Sequence, residues 1–143
     1  MGTSLAARVA VVVGLVYVAL GIGGFAITGW DTHWTVNTND DLLGIGLNPF
    51  HNIVHVGIGA LLLIMGVQKN TPAAEGALMG GGLTYIVVFV IGVTASDNLT
   101  ILSIDGPGDV GNFFHLVSGV VALAVGLLSS AATASQMKKR GIA

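Results

Sequence analysis

Two histidines four apart open one apolar run, in "NPFHNIVHVGIG" (Asn48 to Gly59), and a third opens another, in "NFFHLVSGVVALAVG" (Asn112 to Gly126). His51 and His55 share one face of a helix, one turn apart. With His115 they make three imidazoles, a donor set that suits zinc or copper, with an outer aspartate or His33 as a further ligand. A second chemistry uses His51 and His115 alone, as axial ligands of haem b between facing helices, with Gly119 leaving space beside the ring. In the plainest reading each histidine only hydrogen-bonds to a neighbouring helix, a loop carbonyl or interfacial water. The residues leave all three open. Asn48 and Asn112 are expected N-caps, with Pro49 at N1 of the first helix. The positive end of a helix disfavours a cation, and uncharged imidazole is the ligating form.

The elements that carry these residues are set by composition. The chain is 53% hydrophobic and 8% charged, with mean hydropathy +0.87. Soluble domains carry about 25% charged residues, so lipid is the expected solvent. A net charge of −2 offers nothing to nucleic acid, and the absence of cysteine excludes disulfides and thiolate chemistry. Four apolar runs, at about 7–29, 50–68, 77–95 and 112–134, are each long enough for ~30 Å of hydrocarbon. As placed, none contains Asp, Glu or Lys, and Arg8 is the only basic residue. Runs of this length satisfy their own backbone bonds as helices, whereas barrel strands alternate over about ten residues. The expected fold is all-α: one four-helix transmembrane bundle spanning residues 1–143.

The charges sort by side. Arg8, Lys69, Lys138, Lys139 and Arg140 fall at one face, and Asp31, Asp40, Asp41, Asp97, Asp105 and Asp109 at the other. The positive-inside bias makes the first face cytoplasmic, with both termini inside and the histidines near the outer face. Trp30 and Trp34 stand where indoles anchor at headgroups. The first run is too long for the apolar core of a signal peptide.

The chain also reads as a duplicated two-helix hairpin, about 11–68 and 79–134. Gly14, Leu15, Tyr17 and Gly24 match Gly82, Leu83, Tyr85 and Gly92 at an offset of 68. Gly44, Asn48, Phe50 and His51 match Gly108, Asn112, Phe114 and His115 at an offset of 64. The repeat is parallel, with a pseudo-two-fold axis along the membrane normal. In this register His51 and His115 are mates and Gly119 stands opposite His55. Glycines seven apart (14 and 21, 59 and 66, 119 and 126) put small residues on one stripe, where backbones approach closely. Gly80 to Gly82 would let the third helix bend or start irregularly.

The remaining features are weaker. Asp40 and Asp41 suit a solvated turn or the cap of a short helix, and "IDGPGDVG" (Ile104 to Gly111) is turn chemistry. Tyr17 and Tyr85 need hydroxyl partners in lipid, by default each other or the backbone. Asn98 to Thr100 fits a glycosylation sequon. No carboxylate lies within the runs as placed, so a proton relay is unsupported. No nucleotide motif or catalytic triad is present, and an enzyme is not expected.

The pattern "GW-D-x-x-W … LLGIGLNPFHNIVHVGIGALLL", followed by "GNFFHLVSGVVAL", resembles a bacterial family of four-span integral membrane proteins catalogued as a domain of unknown function. The resemblance runs from the first span to the fourth, and Asn-x-x-His-x-x-x-His at Asn48 to His55 is its most specific part. It implies the topology above, in a bacterial plasma membrane, and no activity. The expected role is a non-enzymatic accessory or scaffolding module, packed through glycine seams in a homo-oligomer or larger membrane complex. The alternative is a histidine-ligated haem or transition-metal protein with its site near the outer face.

Overall fold

A computed structural model describes residues 4–30, 34–35, 40–68, 70–94, 100–104 and 106–142. His33, Asp31, Lys69, Asp97, Asp105 and most of the sequon at Asn98 lie outside them. The elements are α1 (Leu5–Thr28), a small hairpin of β1 (Asp41–Leu42) and β2 (Ile45–Gly46), α2 (Pro49–Val67), α3 (Thr71–Thr94), a 3-10 turn (Thr100–Leu102) and α4 (Val110–Lys139). All four helices are long and apolar enough to cross a membrane. The shortest, at 19 residues, reaches about 28 Å at ~1.5 Å per residue.

Local chemistry fixes the ends. Ser4 caps α1 by accepting from the Ala7 amide at 3.1 Å. Gly29, with φ of 66°, ends the helix in a backbone conformation that costs glycine nothing. Asp40 and Asp41 head the β-hairpin rather than a helix. Its two turn residues, Leu43 and Gly44, have φ of 59° and 79°, as a two-residue turn of this twist requires. The Asp41 carboxylate accepts from the Gly44 amide at 3.0 Å.

Two expected boundaries move. The helix α3 begins at Thr71, not 77, and runs straight through Gly80 to Gly82. The added turn carries Glu75, which is buried and accepts from the Ser129 and Thr133 hydroxyls of α4, each at 2.8 Å. The bundle therefore does enclose a carboxylate, with hydroxyl donors to satisfy it. The helix α4 begins at Val110, and its N-cap is Asp109, not Asn112; the Asp109 carboxylate accepts from the Gly111 amide at 2.6 Å. Asn112 sits inside the first turn and donates to Gly106 O at 2.9 Å.

The helices pair α1 with α2 and α3 with α4, with lighter packing between the pairs. Each pair closes on glycine. A Cβ added at Gly14 would stand 2.7 Å from Gly59 O, and one at Gly82 would stand 2.7 Å from Gly119 O. Gly66 lies on Ala7 O and Gly126 on Glu75 O. The glycine stripes thus close within the chain. Ala6, Ala7, Ala10, Leu62, Ala74, Leu78 and Ala122 fill the core between the pairs at the end away from the histidines.

These contacts correct the register read from the letters. Gly24 presses on the Asn52 side chain and Gly92 on that of Asn112. Asn52, Gly59 and Gly66 thus take the places that Asn112, Gly119 and Gly126 take in the other pair. The offset is 60 in the second helices and 68 in the first. His55, not His51, then stands where His115 does. The textual match Asn-x-Phe-His is real but one helical turn out. A slip of four residues keeps a helix face, so apolar periodicity does not expose it.

The contacts predict a sharp contrast along one helix. Gly82→Ala should destabilise the protein by about 1–3 kcal/mol, since backbone blocks the methyl. Gly80→Ala, with open space around it, should be neutral or stabilising by up to about 1 kcal/mol. Thermal unfolding in detergent checks both.

Candidate functional site

The site is built at the end of the bundle where α2 and α4 begin. The Asn48 side chain caps α2 by accepting from the His51 amide at 2.7 Å. Its amide nitrogen donates to Thr100 O at 2.9 Å and Ile101 O at 3.2 Å, tying the α3–α4 connection to the start of α2. Pro49 at N1 needs no amide partner. The β-hairpin and the 3-10 turn cover this end, with Ile45, Leu47, Ser103 and Ile104 all buried.

Beneath them His51, His55 and His115 come together, each 1–2% exposed. One ring nitrogen from each lies within 4.8 Å of the others. The His51 ring centroid is 4.3 Å from that of His55 and 5.8 Å from that of His115. The His51 Nδ1 lies 3.0 Å from Gly46 O. A carbonyl only accepts, so Nδ1 carries the proton and Nε2 keeps its lone pair. That Nε2 is buried and has no hydrogen-bond partner among the described residues. The same holds for both nitrogens of His55 and for Nδ1 of His115.

Aromatic rings wall the cluster. Tyr17 meets His55 edge-on at 5.3 Å, Tyr85 stacks on His115 at 5.2 Å, and the two tyrosines stack on each other at 5.0 Å. The Tyr17 hydroxyl donates to Ser118 Oγ at 2.8 Å and also interacts with the buried Tyr85 hydroxyl. The expected mutual contact of the two tyrosines is thus present, with Ser118 as a further partner of Tyr17.

The asparagines nearby follow one pattern. Asn52 donates to Thr28 Oγ1 at 2.9 Å, and its Oδ1 lies where a side chain of Gly24 would begin. Asn112 Oδ1 has the same relation to Gly92. In each case a glycine Cα–H points at the amide oxygen, a weak hydrogen bond that only glycine permits at this closeness. Sequence reasoning missed these pairs. The signal was present in the matched Gly24 and Gly92, but their partners were hidden by the misread offset.

The three imidazoles could share one ion. Nitrogens bound at about 2.0–2.1 Å to a common metal stand roughly 3.3–3.6 Å apart, so modest ring rotations close the set. Haem does not fit. A Cβ at Gly119 would meet Gly82 O at 2.9 Å and Ile86 at 3.1 Å, so α3 fills the space expected for a ring. His55 also crowds His51 on the face a porphyrin would need.

A family model described as "Domain of unknown function (DUF4383)" matches residues 7–128. The chain belongs to the DUF4383 family. No curated protein and no solved structure matches it significantly. The match to DUF4383 takes in all three histidines, Asn48, both tyrosines and every glycine of the two seams.

Asn48 makes the most consequential polar contacts around the cluster in this DUF4383 chain. Asn48→Ala removes the cap and both ties to the 3-10 turn. It should cost about 1–2 kcal/mol, read as a lower midpoint in thermal unfolding.

Proposed function

We propose that this chain is a multi-pass membrane protein that holds one transition-metal ion on His51, His55 and His115. One observation carries the reading: three buried imidazoles converge, and four of their ring nitrogens lack a hydrogen-bond partner among the described residues. An unsatisfied buried polar group costs about 1–3 kcal/mol. Several in one place call for a ligand, and convergent nitrogen lone pairs call for a metal. The His51 tautomer fits the role, because a ligating histidine usually donates its other ring N–H to a carbonyl or carboxylate.

The plain hydrogen-bonding reading loses support for the same reason, since His55 has nothing to bond. The scaffold reading yields first place because its glycine stripes close on each other. A metal-holding chain of this kind could still serve as a subunit of a homo-oligomer or larger complex. The activity proposed is binding, not turnover. The positive-inside bias would set Arg8, Lys138, Lys139 and Arg140 in the cytoplasm and the metal near the outer face of a bacterial plasma membrane. The like contacts in the two helix pairs favour an ancestral hairpin duplication, in which α2 added His51 as the third ligand.

Protein purified in mild detergent without chelators should carry about one zinc or copper per chain, or take it up on reconstitution with a rise in unfolding temperature. His55→Ala should lose the ion and Gly57→Ala should keep it. Folded wild-type protein that takes up neither metal contradicts the proposal.

A further inference from the structure

We infer that the ion held by the three histidines is univalent copper, Cu(I), in preference to zinc or Cu(II). The inference rests on the three-histidine reading and adds the charge of the ion. All three donors are neutral imidazoles, and among the described residues no carboxylate belongs to the convergent group. The acid whose charge is felt at His51 is Asp109, and its Oδ1 accepts from the Gly111 amide as the cap of α4. Glu75 lies with Ser129 and Thr133, in the part of α4 remote from His115. Among the described residues, then, no carboxylate joins the ligand set to neutralise the ion.

Burial makes this decisive. The cost of taking an ion out of water grows with the square of its charge, so a dication costs roughly four times as much as a monocation of equal size. The three residues are nearly inaccessible, and the rings of Tyr17 and Tyr85 wall them. Coordination number points the same way. Zinc takes a fourth ligand, and Cu(II) prefers tetragonal sites. Cu(I) is a closed-shell ion content with three donors, and imidazole suits copper. Buried side-chain oxygens without a conventional hydrogen-bond partner among the described residues include those of Asn52, Ser103 and Asn112, all neutral. Zinc would still need a fourth ligand, whereas Cu(I) is satisfied by the three imidazoles.

The test titrates stripped, full-length protein in detergent, without oxygen, with Cu(I), Ag(I) and Zn(II) against chromophoric chelators. Ag(I) serves as a redox-silent stand-in for Cu(I). The expected result is about one Cu(I) or Ag(I) per chain, bound at least ~100-fold more tightly than zinc. Gly57→Ala should leave Cu(I) affinity within about threefold, and His115→Ala and His55→Asn should abolish it. Ag(I) should also raise the unfolding temperature of the wild type, which guards against variants that fold poorly. Zinc bound as tightly as Cu(I), and lost with the histidines, would overturn the univalent inference and leave the three-histidine reading standing. No ion bound by folded wild type, or binding indifferent to the histidines, would overturn both.

Discussion

The structure depends on close backbone contact between helices at glycine. In lipid, apolar side chains gain little by leaving one apolar surroundings for another, so helices associate through packing and hydrogen bonding. Gly14 against Gly59 and Gly82 against Gly119 bring α1 onto α2 and α3 onto α4 with backbone touching backbone. Those approaches fix the rotation of each helix about its axis. Once Gly59 faces α1, His55, one turn earlier, must face inward beside Tyr17, and Gly119 fixes His115 beside Tyr85 in the same way.

A bundle closed this tightly makes polar groups at its core expensive, and the chain deals with them unevenly. Glu75 has two hydroxyl donors, Asn48 is fully engaged, and Tyr17 has Ser118. The histidine cluster stands apart. Its rings are placed by the α2 cap, the Gly46 carbonyl and the tyrosine stack, yet four of their nitrogens have no partner among the described residues. Rigid placement with unmet donors and acceptors is what a preorganised ligand site requires, and a merely structural cluster would be expected to satisfy itself.

Much of this was legible in the sequence. Hydropathy located all four helices, because a lipid-spanning run declares itself by length and lack of charge. Asn48-Pro49 announced the start of α2, and the three histidines were picked by type and spacing. Three things were not legible. Glu75 was excluded because span ends were drawn at the last apolar residue, although a helix continues where a carboxylate finds hydroxyls. Asn112 looked like the cap by analogy with Asn48, but Asp109 lies three residues earlier and caps equally well. The offset of 64 was plausible because helices tolerate a one-turn slip without changing face. Only the glycine contacts, which belong to tertiary structure, distinguish it from 60. The space beside Gly119 was misjudged for the same reason: a glycine can mean room for a ligand or a neighbour's backbone, and here it means backbone.

The central claim is that three imidazoles, on two helices from different hairpins, bind one ion. X-ray absorption of the metal-loaded protein tests it most directly. The account predicts about three nitrogen scatterers near ~2.0 Å, with outer-shell features of imidazole rings. The His115→Ala variant, which should not hold the ion at this site, should show no such shell. A first shell without imidazole features, or one dominated by oxygen, would place the ion elsewhere and contradict the account.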